Sequence, residues 1–206
     1  MSEPLLVEFF VEDNAHHQLL VPLVERVARE ENVDLRCRVR NARGGHAGAM
    51  GSFTSYQTLR SMGVGGTEVP ALMVVGIDGN CSTFARKREQ IREATQSRYA
   101  HLLVTACPDP HIERWYLADP QSFHTVVGAQ ASGLQRKCVR QHYKQMLTAT
   151  IARAGHPSTL EGVEFGRELA EAMDLFRAGK NDASLKAFIG DLRQGLRRAS
   201  QTTRDN

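Results

Sequence analysis

The chain has 206 residues and a formal net charge of +3, with 41% hydrophobic and 24% charged residues. That length suits one α/β domain with a helical extension and buries enough apolar surface to hold together without disulfides or a structural metal. No apolar run approaches the ~18 residues of a membrane span, and MSEPLLVEFF lacks the basic-then-apolar order of a secretion signal, so neither membrane insertion nor export is expected. Cys37, Cys81, Cys107 and Cys138 form no CxxC pair. Scattered single thiols fit a reducing compartment, and the expected location is cytoplasmic. Residues 1–133 hold 13 Lys/Arg against 15 Asp/Glu, and residues 134–206 hold 13 against 8. The basic C-terminal part either brings a polyanion to a carboxylate site or is a solvated helical face.

In chain order, residues 5–11 (LLVEFFV) are an apolar run with the length of a buried strand. Asn14 can cap a helix whose face is marked by Leu19, Leu20, Leu23, Val24, Val27 and Ala28, with Pro22 opening or kinking it. Residues 33–40 alternate apolar with polar as a strand does, and the polar face carries three arginines. A glycine-rich loop over 41–48 precedes a short helix suggested by Phe53, Tyr56 and Leu59. Gly63, Gly65 and Gly66 then break the chain. Residues 69–77 read as another buried strand, ending at Asp78-Gly79-Asn80. A charged helix is expected over 82–95, and a fourth strand over 101–107 is stopped by Pro108 and Pro110. HIERWYLAD (111–119) is one short amphipathic unit, and a helix should cover roughly 134–152. Ser158-Thr159-Leu160-Glu161 has capping-box spacing and predicts a helix start. Leu185, Phe188, Leu192 and Leu196 line the last helix, with a frayed polar tail after Ala199. Strands alternating with helices predict an α/β fold, a mainly parallel sheet with helices on both faces, followed by a helical C-terminal part.

In such sheets the functional crevice lies beyond the carboxyl ends of the strands. Two predicted strands end there in acids, Glu12-Asp13 and Asp78-Gly79-Asn80. Carboxylates on adjacent strand ends make an oxygen-rich seat for a hard cation; the alternative is that these residues simply form turns. The chain has no GxSxG elbow, no HExxH pair and no P-loop or dinucleotide fingerprint.

The order of these pieces resembles the Toprim fold of topoisomerases, bacterial primases and overcoming-lysogenization-defect nucleases. That family closes one strand with a Glu and a later one with Asp-x-Asp, which together bind Mg²⁺. Glu12, Asp78 and Asn80 occupy the matching positions, so the second Asp is replaced. Where family members continue as Glu-Gly-x-x-Glu, the second acid is replaced by His16, a candidate base or ligand. Residues 110–119 (PHIERWYLAD) are similar to the "IEaWlLaD" segment of small standalone Toprim-like bacterial proteins, whose genes often lie beside ATPase genes in phage-defence settings. The resemblance covers residues 5 to about 128. It implies a Toprim-like domain over 1–128, with a helical extension over 129–206 packed on it.

The implied activity is Mg²⁺-dependent cleavage of nucleic-acid phosphodiesters, DNA or RNA, with Mn²⁺ as the alternative ion, either alone or as the nuclease subunit of a defence complex. Glu12, Asp78 and Asn80 would hold the cation, and Glu12, Asp78 and Glu113 would be catalytic. Arg43 in the glycine-rich loop, with Arg86, Lys87 and Arg88 just after the Asp-Gly-Asn turn, would neutralise phosphates. The competing expectation is a catalytically weakened module that binds or regulates an SMC- or ABC-like ATPase, motivated by Asn80 and His16. Self-association into a homo-oligomer is compatible with either expectation. Ile112, Trp115 and Leu117 are expected in the core.

Overall fold

The computed structural model describes residues 3–41, 43–64, 68–80, 82–131, 135–139 and 141–204. Gly65, Gly66, Cys81 and Leu134 lie outside the described residues. Strands β1 (Leu5–Val11), β2 (Leu35–Asn41), β3 (Leu72–Gly76) and β4 (Leu103–Ala106) form one all-parallel sheet in the order β2-β1-β3-β4. The helices are α1 (Asn14–Glu30), α2 (Gly45–Ser61), α3 (Phe84–Glu93), α4 (Ile112–Tyr116), α5 (Pro120–Val127), α6 (His142–Arg153), α7 (Gly166–Ala172), α8 (Leu175–Asn181) and α9 (Ala183–Arg204). This is the predicted α/β class with a parallel sheet and C-terminal helices, an arrangement consistent with a Toprim-like fold.

Alternation along β1 builds two cores. Val7, Phe9 and Val11 face one side, where they join Leu72, Val74, Val104 and side chains of α1, α4, α7 and α9. Phe10 faces the other, against Phe53 and Tyr56 of α2 and Ile91 of α3. Burial on both faces explains why the strand reads as a continuous apolar run. Glu8 interrupts that run. It is fully buried, and Arg40 meets it with Nε and Nη2 (2.6 and 2.8 Å), Arg38 with Nη1 (3.2 Å). Two arginines from the polar face of β2 therefore neutralise a carboxylate that could not be buried alone.

The predicted apolar line of α9 is observed, with Leu185, Phe188, Leu192 and Leu196 all buried. Phe188 stacks on Trp115 (centroids 5.4 Å apart), and Ile112, Trp115 and Leu117 are core residues as expected. No helix among the described residues is long and apolar enough to cross a membrane.

Several elements differ from expectation. Gly44 adopts φ +88° as the residue before α2, so the chain enters a 17-residue helix at Gly45, inside the predicted loop. The helix expected from 134 begins at His142, because the Tyr143 hydroxyl holds the preceding segment extended: it accepts from the Lys137 N–H (2.9 Å) and donates to the Gln135 carbonyl (2.7 Å). The capping box at Ser158 does not form; the Glu161 carboxylate pairs with Lys144 instead (2.9 Å), and the next α-helix starts at Gly166. The tail beyond Ala199 is helical to Arg204. Cys37 and Cys107 are free thiols pushed up to about 12 by burial, whereas Cys138 is disulfide-bonded, unlike the scattered single thiols expected.

Asp119, the last residue of the amphipathic unit, ties α5 to the turn before α8. It is 2% exposed and accepts from Arg177 (3.0 and 2.9 Å), the Ser122 hydroxyl (2.6 Å) and the Asp174 N–H (2.8 Å). Burial alone would raise its pKa; the donated bonds and the Arg177 charge outweigh that and hold it down at about 2. A lowered folded-state pKa contributes stability above the ordinary value of 3.8, lost as pH falls through about 2. Asp119→Asn should therefore be less stable than the parent at neutral pH by about 1–2 kcal/mol, allowing for solvent screening at half-exposed Arg177. Urea unfolding across the acid range should find that gap closing toward pH ~2, and a gap independent of pH would refute this role.

Candidate metal centre

β1 and β3 are neighbours, with Val11 opposite Gly76, so the residues that follow them leave the sheet side by side. The Glu12 N–H donates to the Gly76 carbonyl (3.0 Å), and the Asp78 N–H donates to Glu12 Oε2 (2.9 Å). Asp78 is fixed from its other side by the start of α4: the Ile112 N–H donates to Oδ1 (2.8 Å), and His111 Nδ1 lies 3.1 Å from Oδ2.

His16 enters from the first turn of α1. Asp13 caps that helix by accepting the His16 N–H (3.0 Å), and the same oxygen meets His16 Nδ1 (2.8 Å). One carboxylate thus both starts the helix and orients the ring. Gly76 makes the approach possible. A Cβ there would meet Leu20 Cδ1 at 2.8 Å, Val11 Cγ1 at 3.1 Å and His16 Cδ2 at 3.5 Å, so any larger residue would have to displace the Leu20 side chain that packs beside the His16 ring.

Glu12, His16 and Asp78 each offer one ligand atom, and these atoms all lie within 4.8 Å of one another. His16 is fully buried, with Nε2 3.3 Å from Asp78 Oδ1. That distance brings charge close to charge, yet the alignment is too poor for a hydrogen bond, and Nε2 is a buried nitrogen without a hydrogen-bond partner.

The electrostatics follow from this crowding. Burial raises the Glu12 pKa, and repulsion from Asp78 adds to it. Asp78 would also be raised by burial, but the charge of His16, with the hydrogen bond and charge of His111, brings it below its ordinary value. Burial opposes a charged His16; Asp78 and Asp13 overcome this and lift its pKa to about 10. Two carboxylates with pKa values pushed apart around a buried imidazole are the pattern of a functional site.

Of the other sequence candidates, Glu113 is half-buried in the first turn of α4, its pKa raised by burial and by Asp78 and Asp13. Asn80 is exposed at φ +52°, and its Nδ2 donates to the Asp78 carbonyl (3.4 Å). Arg43 and Arg86 are exposed at the starts of α2 and α3, and Lys87 is half-buried beside His46. Arg88 pairs with Asp191 of α9. Sequence reasoning left His16 out of the ligand set. The available signal was its spacing, four residues after Glu12 and three after an Asp able to cap a helix, which sets both on one side of the first turn.

The fold and this group define an α/β protein with a carboxylate–imidazole cluster at the carboxyl edge of a parallel sheet. No protein-family model matches the chain, and no curated protein or solved structure matches it.

The cluster fits a divalent cation on its own chemistry. It supplies two carboxylates and an imidazole whose Nδ1 is held by Asp13 and whose Nε2, in ion-pair range of Asp78 but without an aligned hydrogen bond, would give up its proton to a bound cation. Such a donor set suits several divalent ions, and the imidazole favours Mn²⁺ or Zn²⁺ more than a set of oxygens alone would. Adding a bound ion at ~100 times its Kd should stabilise the chain by about 2.7 kcal/mol, a rise of several degrees in Tm. Asp78→Asn and His16→Gln should abolish the rise, while Asn80→Ala should keep it. Thermal melts with Mg²⁺, Mn²⁺ or Zn²⁺ against EDTA decide, and no shift with any of the three in the parent chain would remove the metal centre.

Proposed function

We propose that this chain is a Toprim-type, divalent-cation-dependent hydrolase of nucleic-acid phosphodiesters, acting alone or as the nuclease subunit of a defence complex. The observation that carries the proposal is the convergence of Glu12 and Asp78 with the buried Nε2 of His16, their ligand atoms all within 4.8 Å of one another. Glu12, His16 and Asp78 would hold the cation, which when bound supplies charge to polarise a phosphoryl oxygen and lowers the pKa of a water.

The chain's own residues supply the rest. Asp13 keeps the His16 ring turned toward the cluster, and Ile112 N–H and His111 fix the Asp78 carboxylate. Glu113 adds a half-buried carboxylate at the same edge. Arg43, Arg86 and Lys87, at the starts of the helices that follow β2 and β3, would contact phosphates on either side of the bond to be cleaved. Arg88 is assigned no such contact, because Asp191 engages it.

A second reading, a weakened Toprim-like module that regulates an ATPase, is favoured by one observation: Asn80, at the place of the second Asp, is exposed and turns its Nδ2 to the Asp78 carbonyl, bringing no second carboxylate beside Asp78. The two readings part in one assay. A nuclease should cleave single- or double-stranded DNA or RNA with Mn²⁺ or Mg²⁺ and lose that activity in EDTA. Glu12→Gln and Asp78→Asn should each lower the rate by ~10²-fold or more while leaving the fold intact by circular dichroism. Ion binding with no cleavage of any of these substrates would select the regulatory module, and cleavage that persists in EDTA would reject both.

A further inference from the structure

A cleft of about 770 Å³ opens between the C-terminal half of α1, the turn joining α7 to α8, and the middle of α9. Ten residues of α1 separate His16 from Arg26 on its wall, about 15 Å of helix, so the cleft is distinct from the metal group. Its volume falls in the range of small-molecule sites. Met173 and Ile189 form a buried apolar floor, and Phe176 stands on the rim 72% exposed. The Lys180 ammonium lies 4.3 Å from the centre of the Phe176 ring.

The charges lining the cleft are unequally engaged. Glu30 is bound by Arg26 (3.0 Å) and Arg193 (2.7 Å), and Asp174 is committed to capping α8 by accepting from the Phe176 and Arg177 N–H groups. Lys180 and Lys186 have no acidic partner among the described residues. The cleft therefore presents an aromatic ring, one face of which carries the Lys180 ammonium, and two lysines unpaired with any acid, while its acids are occupied.

Two glycines of α9 sharpen this. A Cβ at Gly195 would meet Leu72 Cδ2 at 2.9 Å and Val104 Cγ2 at 3.4 Å, so glycine there lets α9 pack closely on the sheet. At Gly190, on the cleft wall, a Cβ would meet nothing within 4 Å. Glycine weakens a helix interior relative to alanine, and at position 190 packing returns nothing for it. What the missing side chain leaves is room.

We propose that this cleft is a second ligand site that takes a free nucleotide, its base against Phe176 in the space above Gly190 and its phosphates on Lys180 and Lys186. Aromatic stacking beside unpaired lysines suits a planar, anionic ligand. The site works without the metal cluster, so it is tested in EDTA, where failure of the nuclease proposal has no bearing on it. Calorimetric titration of ATP and AMP into the full chain should give saturable binding with Kd in the micromolar range, on the order of −8 kcal/mol by definition at 1 μM. Inorganic triphosphate should bind at least ~10-fold more weakly than ATP, having no base to stack. Gly190→Leu should fill the cleft and weaken ATP by ~10-fold or more while Tm stays equal or rises, because leucine is the better helix former. Phe176→Ala, at an exposed position, should weaken ATP without changing Tm. No ATP binding at millimolar concentration, unaltered binding by Gly190→Leu, triphosphate binding as tightly as ATP, or displacement of ATP from the cleft by an oligothymidylate strand would each overturn the proposal.

Discussion

The parallel pairing of β1 with β3 is the constraint from which the rest of the molecule follows. Because Val11 sits opposite Gly76, the two chains leave the sheet together, and Glu12 and Asp78 have no way to avoid one another. Like charges at that range repel by several kcal/mol at the effective dielectric of a protein surface. The fold manages the repulsion with fixed donors: a backbone N–H from each neighbouring segment, two imidazoles, and the positive end of α1. Everything that positions those donors, including the bare backbone of Gly76 and the cap at Asp13, serves the same end.

The helices beyond β4 complete this arrangement from behind. α9 lies on the sheet through Leu192, Leu196 and Gly195, and its first turn is anchored beside Trp115, whose Nε1–H donates to the Ser184 hydroxyl (2.9 Å). The Asp109 N–H donates to that same hydroxyl (3.2 Å), which steadies the segment running from β4 into α4. Since α4 supplies the Ile112 N–H to Asp78, the C-terminal helices bear on the candidate metal cluster through two links, and among the described residues they add none to the Glu12, His16 and Asp78 group.

Much of this was legible from the residues. β1 was readable to its ends because it is apolar on both faces, and α9 because its buried residues recur on one face. Glu12 and Asp78 stood out because acids at strand ends are conspicuous. The three-dimensional relations were not legible. His16 belongs to the cluster because α1 turns directly on Asp13 and folds down over Gly76; its spacing from Glu12 and Asp13 signals the turn, but not the neighbouring strand it meets. The failed capping box at Ser158 has the same origin: Glu161 had a distant partner in Lys144, and a tertiary ion pair displaced a local preference. Asn80 was read into the metal set by its spacing from Asp78, and spacing alone did not show that its side chain is exposed and donates to the Asp78 carbonyl.

The buried Glu8 carries a consequence at the other margin of the molecule. β2 is an outer strand of the sheet, and its outward margin offers the backbone groups that invite another chain to add itself. Arg36, Arg38 and Arg40 recur along it at every second position, and Arg38 and Arg40 are drawn inward by Glu8 while Arg36 is held by Glu68. A neighbouring strand laid along this margin would bring its own side chains against a row of guanidinium groups already spoken for. The acid in the middle of β1 thereby gives the sheet a guarded border, and the chain a measure of protection against strand-by-strand aggregation.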